Sequence, residues 1–328
     1  MDLLSLRYFR VVARLEHVSR AAAELRVAQP SVSRTIARLE AELGVPLFDR
    51  RGRTIRLNRH GAAFLVRVER ALGELDDARR EMADAAGPDH GGGVTIAAET
   101  LLPLAEILAA HRAAHPAVTV RCFQSTPEGM LRHLRSREAD FCIASQPLAG
   151  PGLAVLPLLR EEVLLAVPPG HRLAGRRRVG LADLVEEPFV TTRPGNWQRA
   201  LLERLFSTIG QRPVISCEGD EPGATHFLIT AGLGIGLIPA MARTELAQLP
   251  LVWLRLDAPD CQRTLSLVRR EDGYLSRAAQ RFRDLAVAHF TERAGRDRRS
   301  LCEGGAGPRR PPSAAQPLAP GAANGPVP

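Results

Sequence analysis

At 328 residues, with 45% hydrophobic and 24% charged side chains, the chain has ordinary globular composition and length for more than one domain. Its net charge of +8 favours polyanionic partners. No apolar run is long enough to cross a bilayer, the opening MDLLSLRYF has no secretory-leader pattern, and five cysteines (positions 122, 142, 217, 261, 302) show neither CxxC spacing nor an even framework. A membrane protein and a disulfide-stapled secreted domain are therefore not expected; a reducing, cytoplasmic location is. All 44 basic residues are arginine, which reads mainly as a GC-rich coding bias. Its physical effect is that every cationic contact is a planar, forked donor suited to phosphate or guanine.

The first informative stretch runs from Val18 to Leu57. A short helix is expected over Ser19–Leu25, with Ser19 as its N-cap and Ala21, Ala22 and Leu25 small enough for a close crossing. Arg26–Ala28 form a tight turn, and a second helix follows. Pro30 sits in its first turn, where the missing N–H costs nothing, and Gly44 stands just past its end, where a left-handed residue is wanted. Between them Val32, Ile36, Leu39 and Leu43 mark one apolar face, while Pro30, Ser31, Arg34, Ala37 and Arg38 mark the opposite one. An apolar back with small and guanidinium side chains in front suits a helix that enters a major groove. The bland alternative is a solvated arginine face. The preceding helix and short turn, and an excess of arginine over acid in the first sixty residues, favour a helix-turn-helix.

Pro46-Leu47-Phe48 and Ile55-Arg56-Leu57 read as two short strands around a turn from Asp49 to Thr54, with Gly52 supplying the permissive backbone. Arg50, Arg51 and Arg53 crowd its tip, as in a wing that lays guanidinium groups along phosphates or into the minor groove. Asn58 then caps a long helix reaching Ala86, which at 1.5 Å per residue spans about 40 Å. Leu65, Val68, Leu72, Leu75 and Met82 follow an alternating three-and-four spacing, with Arg79 interrupting it. That is a dimerisation seam or an amphipathic face packed on its own domain; a reader of two half-sites favours the seam.

Residues 87–93, Gly-Pro-Asp-His-Gly-Gly-Gly, form a hinge with little power to hold structure. Alternating strands and helices follow, the mark of an α/β domain with largely parallel sheets. Strands are expected at Val94–Ala97, Val118–Cys122, Phe141–Ala144, Val163–Val167, Phe189–Thr191, Val214–Cys217, Ile235–Ile238 and Thr264–Val268. Helices are expected near Leu102–Ala114, Pro127–Ser136, Trp197–Ile209, Ala224–Ala231 and Ser276–Phe290. From about residue 293 to Pro328 large apolar residues nearly vanish among Pro, Gly, Ala and Arg, so a disordered tail is expected.

The order RYFRVVA…SRAAAELRVAQPSVSRTIARLEAELGVPLFDRRGR resembles the N-terminal domain of LysR-type transcriptional regulators, and a weaker similarity continues to about Phe290. His17-Val18 and Asn58-Arg59-His60 depart from the family's usual residues. The resemblance implies a multidomain chain: a winged helix-turn-helix at 1–58, a dimerising linker helix at 59–86, a hinge at 87–93 and a two-lobed α/β effector domain of the periplasmic-binding-protein type at 94–292. It places DNA contacts on Gln29, Pro30, Ser31, Ser33, Arg34 and Arg38 of the recognition helix and on Arg53 of the wing. It implies duplex DNA, a small-molecule effector, further copies of the chain (dimer or tetramer) and RNA polymerase as partners, with no cofactor.

Ligands of open α/β sheets bind near the carboxyl ends of strands. Those ends carry Glu99 and Thr100, Ser125 and Thr126, Ser145 and Gln146, and Thr191, Thr192 and Arg193. The candidate effector set is therefore Thr100, Ser125, Thr126, Ser145, Thr192 and Arg193; the resemblance favours Thr100, Ser125, Thr126 and Thr192 most. Short hydroxyls with one guanidinium suit a small polar or carboxylate-bearing metabolite. Glu99 would repel anions, which leaves the ligand's charge open.

No enzyme motif stands in its required context. Gly232-Leu233-Gly234-Ile235-Gly236 precedes a strand and Pro239 instead of opening a helix, so it reads as a tight turn and not a dinucleotide fingerprint. His111 and His115 share a helix face without the glutamate of a zinc motif, and no serine lies in a Gly-x-Ser-x-Gly elbow. Cys122, Cys142 and Cys217 fall in strands, where a thiol acts as a small core hydrophobe. The rivals to a regulator are an enzyme on a two-lobed scaffold, which would need a convergent acid–base pair beyond the lone Glu99, and a winged-helix repressor of another family.

Overall fold

The computed structural model describes residues 1–51, 54–86, 92–148 and 150–303. Its N-terminal part packs three helices around Phe9 and Val12, both fully buried: α1 (Leu3–Leu15), α2 (Val18–Leu25) and α3 (Gln29–Leu43). Asp2 caps α1 by accepting the Ser5 N–H at 2.7 Å. The cap of α2 is His17, not Ser19: His17 has extended backbone and its Nδ1 accepts the Arg20 N–H at 3.3 Å, leaving Ser19 in the first turn. In α3, Val32, Ile36 and Leu39 are buried as their spacing requires, and Gly44 ends the helix at φ +70°.

The hairpin pairs β1 (Phe48–Arg51) with β2 (Thr54–Leu57) in antiparallel register. Pro46 and Leu47 lie before the first strand and Asp49–Arg51 belong to it, so the strand sits further along the chain than the sequence implied. Two distant carboxylates explain the shift. Glu40 Oε1 accepts the N–H groups of Leu47 (2.7 Å) and Phe48 (3.2 Å), and Glu16 Oε1 accepts that of Leu57 (2.8 Å). Gly52 and Arg53 lie outside the described residues.

Asn58 opens α4 (Arg59–Ala85), its Oδ1 accepting from His60 N and Gly61 N, both at 2.9 Å. One face of α4 completes the N-terminal core: Val68 and Leu72 are buried there, with Phe64 and Leu65 packed beside them. This corrects the seam. Val68 and Leu72 are occupied within their own domain, whereas Leu75 (44% exposed) and Met82 (62%) are not. A third face docks on the following domain. The Arg137 guanidinium, side chain 4% exposed, pairs with Asp77 and with Glu74 (2.8 Å), and passes over Gly73, where a Cβ would stand 2.0 Å from its Cδ. Arg80 pairs with Asp140, and Asp84 accepts from Tyr274 Oη and Arg277 N, each at 2.8 Å.

Most of the hinge, residues 87–91, lies outside the described residues, and Gly93 already opens β3 (Gly93–Ala98). The first lobe comprises β3, β4 (Thr119–Gln124) and β5 (Phe141–Ala144) with α5 (Ala105–Ala114) and α6 (Pro127–Arg135). β6 (Leu153–Val167) crosses to the second lobe, and β12 (Gln262–Arg270) returns. Between them lie β7 (Arg178–Val179), β8 (Pro188–Thr192), α7 (Trp197–Ser207), β9 (Val214–Gly219), α8 (Thr225–Thr230), β10 (Gly236–Pro239), α9 (Ala242–Glu245) and β11 (Val252–Leu256). The main sheet runs β4-β3-β5-β12-β6-β11-β7, with β10 also on β6; β8 and β9 form a separate parallel pair. It is mixed, not largely parallel, because β6 and β12 run antiparallel through both lobes and β6 pairs antiparallel with β10, β11 and β12.

Leu159 of β6 belongs to the first lobe's core and Val163 to the second's. The waist between the lobes therefore falls at residues 160–162. The glycine turn before β10 bears out its reading: Gly234 has φ +152° and a Cβ there would lie 2.3 Å from the Pro188 carbonyl oxygen. α10 (Arg277–Glu303) continues past Phe290, through part of the stretch expected to be tail. Arg, Glu and Ala favour helix there, and no proline intervenes until Pro308. Residues 304–328, the rest of that tail, lie outside the described residues. Among those described, no helix is long and apolar enough to cross a membrane.

Candidate DNA interface and effector cleft

The buried back of α3 fixes which way its front points. Gln29, Pro30, Arg34 and Arg38 are exposed, and Ser31 and Ser33 are half-buried at its N-terminal end. Arg34 Nε lies 3.4 Å from the Pro30 carbonyl one turn back, which leaves most of the guanidinium free to reach outward. Arg38 is partly engaged: its Nη2 lies 3.3 Å from Asp2 Oδ2 and 3.3 Å from Ser5 Oγ, bracing α3 against the start of α1. Both partners of that pair are more than half exposed, so solvent screens it.

The second site sits at the waist. A cleft opens between the lobes, lined by Thr100, Leu102 and Pro103 of the first and by Trp197, Gln198, Pro222, Gly223, His226, Ile238, Pro239 and Ala242 of the second, with Met241 and Arg263 at the waist. Arg263, on β12, is buried. It donates through Nε to Glu161 Oε1 (2.7 Å) and through Nη1 to Ser145 Oγ (3.1 Å), its Nη2 lies 2.9 Å from Met241 Sδ, and its Cζ stands 5.0 Å over the Trp197 ring. Glu161 Oε2 accepts the Met241 N–H at 2.7 Å.

Glu99, 1% exposed, accepts the Ser145 N–H and a Gln146 Nε2 bond, both at 2.8 Å; the same Nε2 lies 2.9 Å from the Gly195 carbonyl across the waist. Burial raises the Glu99 carboxyl above its ordinary value, against the lowering effect of Gln146, Ser145 and Arg263. Burial likewise lowers His226. Three buried polar atoms here, Thr192 Oγ1, Trp197 Nε1 and Gln198 Oε1, have no partner among the described residues.

Of the six residues expected at this site, Thr100 lines the cleft and Ser145 supports it through Arg263. Thr192 is fully buried. Arg193 is exposed and paired with Asp220. Ser125 and Thr126 lie outside the cleft lining, and Thr126 is spent capping α6, accepting the Gly129 N–H at 3.1 Å. Trp197, Gln198, His226, Met241 and Arg263 were not foreseen. Strand-end polarity finds only residues that face outward in sequence order, whereas Arg263 lies inside a strand and meets Glu161 102 positions away.

Elsewhere, His111 is buried edge-on to His115 (5.2 Å) and Phe282 (5.8 Å) in the α5–α10 packing. Among the described residues no group of three or more His, Cys, Asp or Glu is placed to hold a metal. Cys142 and Cys261 are buried, and burial pushes each thiol up to about 12, far from a reactive thiolate.

A winged helix-turn-helix joined by one long helix to a two-lobed α/β domain defines a DNA-binding regulator with a ligand-binding module. Comparison with known proteins makes this specific. Residues 3–62 match the bacterial regulatory helix-turn-helix model of the lysR family, and residues 89–291 match the LysR substrate binding domain. The HTH-type transcriptional regulator YybE of Bacillus subtilis (strain 168) is 32% identical over 296 residues, covering 89% of this chain and 100% of YybE. The transcriptional dual regulator GltC of the same organism is 31% identical over 297 residues, covering 89% and 98%. Full-length OxyR from Pseudomonas aeruginosa shares the fold with a TM-score of 0.65 at 20% identity, covering 88% of this chain and 94% of that one. CbnR, a LysR family transcriptional regulator, does so at 0.59 and 24%, covering 87% and 98%.

The chain belongs to the LysR family of transcriptional regulators. It is a DNA-binding regulator with an effector-binding domain, and its relatives are regulators, not enzymes.

Proposed function

We propose that α3 enters the major groove with Gln29, Pro30, Ser31, Ser33 and Arg34 toward base edges and phosphates, that Arg38 sets the helix angle while reaching the backbone, and that Arg53 extends the contact from the wing. A small effector bound between the lobes re-spaces two such heads across an interrupted palindrome. The observation that carries the reading is the exposed arginine front of α3 set against a back buried at Val32, Ile36 and Leu39. Two heads require a second copy of the chain. Family membership and the exposed Leu75–Met82 stripe of α4 support pairing through that helix, at Leu75 rather than at Val68 and Leu72, with Leu65 at its margin. On this reading the regulator works in the cytoplasm, and its output is an altered contact with RNA polymerase.

Arg34→Ala tests the base-reading role. Titration against the bound promoter fragment and single-base variants should show discrimination at one position reduced by about 1–3 kcal/mol. Equal weakening on every sequence would make Arg34 a phosphate clamp.

A further inference from the structure

We infer that the cleft takes a small, uncharged, largely apolar molecule that presents a hydrogen-bond acceptor to Trp197 and a donor to Gln198. The inference rests on the cleft being the effector site. Six lining residues, Leu102, Pro103, Pro222, Ile238, Pro239 and Ala242, are apolar. Trp197 and Gln198 also line it, are 3% and 2% exposed, and each keeps one buried polar atom unpartnered, the indole Nε1 donor and the amide Oε1 acceptor. Buried donors and acceptors left unmatched are costly, so a ligand matching both gains specificity as well as affinity.

Charge selects against ions of either sign. The guanidinium lining the cleft, Arg263, is already neutralised by Glu161, and Glu99 adds a second buried carboxyl beside Thr100. An incoming carboxylate would therefore lose its hydration without meeting an unpaired positive charge. A cation fares no better: the Trp197 face is held by Arg263, and both Glu99 oxygens accept bonds from Ser145 and Gln146. Burial of Glu99 and His226, which favours the uncharged form of each, acts in the same direction.

The test uses the full chain with ¹⁵N-labelled tryptophan, whose two indoles are Trp197 and Trp253. Trp253→Phe leaves the Trp197 signal alone; in the unsubstituted chain it is followed beside that of Trp253, which lies outside the cleft lining. Benzamide, benzoate and benzamidine are titrated as isosteric neutral, anionic and cationic probes. Benzamide should move the Trp197 N–H resonance at concentrations at least tenfold below those needed by either ion. If an ion is equally or more effective, the uncharged class is overturned while the cleft reading stands. If a probe raises the melting temperature without moving Trp197, both are overturned. No response to any probe overturns the ligand class.

Discussion

Arg263 and Glu161 bind the waist through a pair that neither could leave unmatched. Both side chains are almost wholly buried, so breaking the pair strands a charge in a poorly solvated place. Glu161→Gln should lower the stability of the effector domain by about 3–5 kcal/mol in urea unfolding, and the double variant Glu161→Met/Arg263→Met should recover most of it. His111 gives a pH signature. Burial, aided by His115 and Arg281, holds its folded pKa below the unfolded value of about 6.5. The unfolded chain therefore binds a proton that the native state refuses, and stability falls as pH drops below about 6.5. Melting temperatures between pH 7.5 and 5 should show this slope, and His111→Phe, which keeps the ring packing on Phe282, should flatten it.

At the scale of elements, the recognition helix was legible because its signals are local: Pro30 and Gly44 at its ends, Val32, Ile36 and Leu39 at helical spacing. Asn58 was legible as a cap for the same reason. The wing's start was not, since Glu40 of α3 holds the backbone of Leu47 and Phe48 and leaves no periodic trace. β6 was read as only its last third, because its first residues alternate weakly and end at Pro157. In α4 the apolar spacing was read correctly but assigned to one surface, when the helix also packs on the N-terminal core and on the first lobe. Gly73 is the element's most telling residue. Alanine there would ordinarily gain about 1 kcal/mol of helix propensity. Here its Cβ would collide with Arg137, so Gly73→Ala should speed amide exchange around Asp77 and Arg137, and adding Arg137→Ala should relieve the clash.

For the whole molecule, separating the faces of α4 makes a sharp distinction between folding and assembly. Leu72→Glu buries a charge in the N-terminal core and should unfold it. Leu75→Glu and Met82→Glu change exposed positions. They should leave the melting temperature near that of the unsubstituted chain while shifting the sedimentation coefficient toward a single copy. Loss of both properties together would show that the exposed stripe is needed for folding as well. The two-lobed plan was readable from the succession of strands and helices. Its mixed sheet was not, because strand direction depends on β6 and β12 crossing between lobes, and no local signal records a crossing.

Attachment of α4 to the first lobe by side chains has a practical corollary for excision. A fragment beginning at residue 92 keeps Arg137, Arg270 and Tyr274 but removes Asp77 and Asp84, the carboxylates that meet them. Arg270, already pushed down to about 10 by burial and by neighbouring Arg137, would then keep Asp272 and Asp140 but lose Asp77 as a partner. A cut made upstream of Gly73 carries those acids along and keeps the severed module electrically complete.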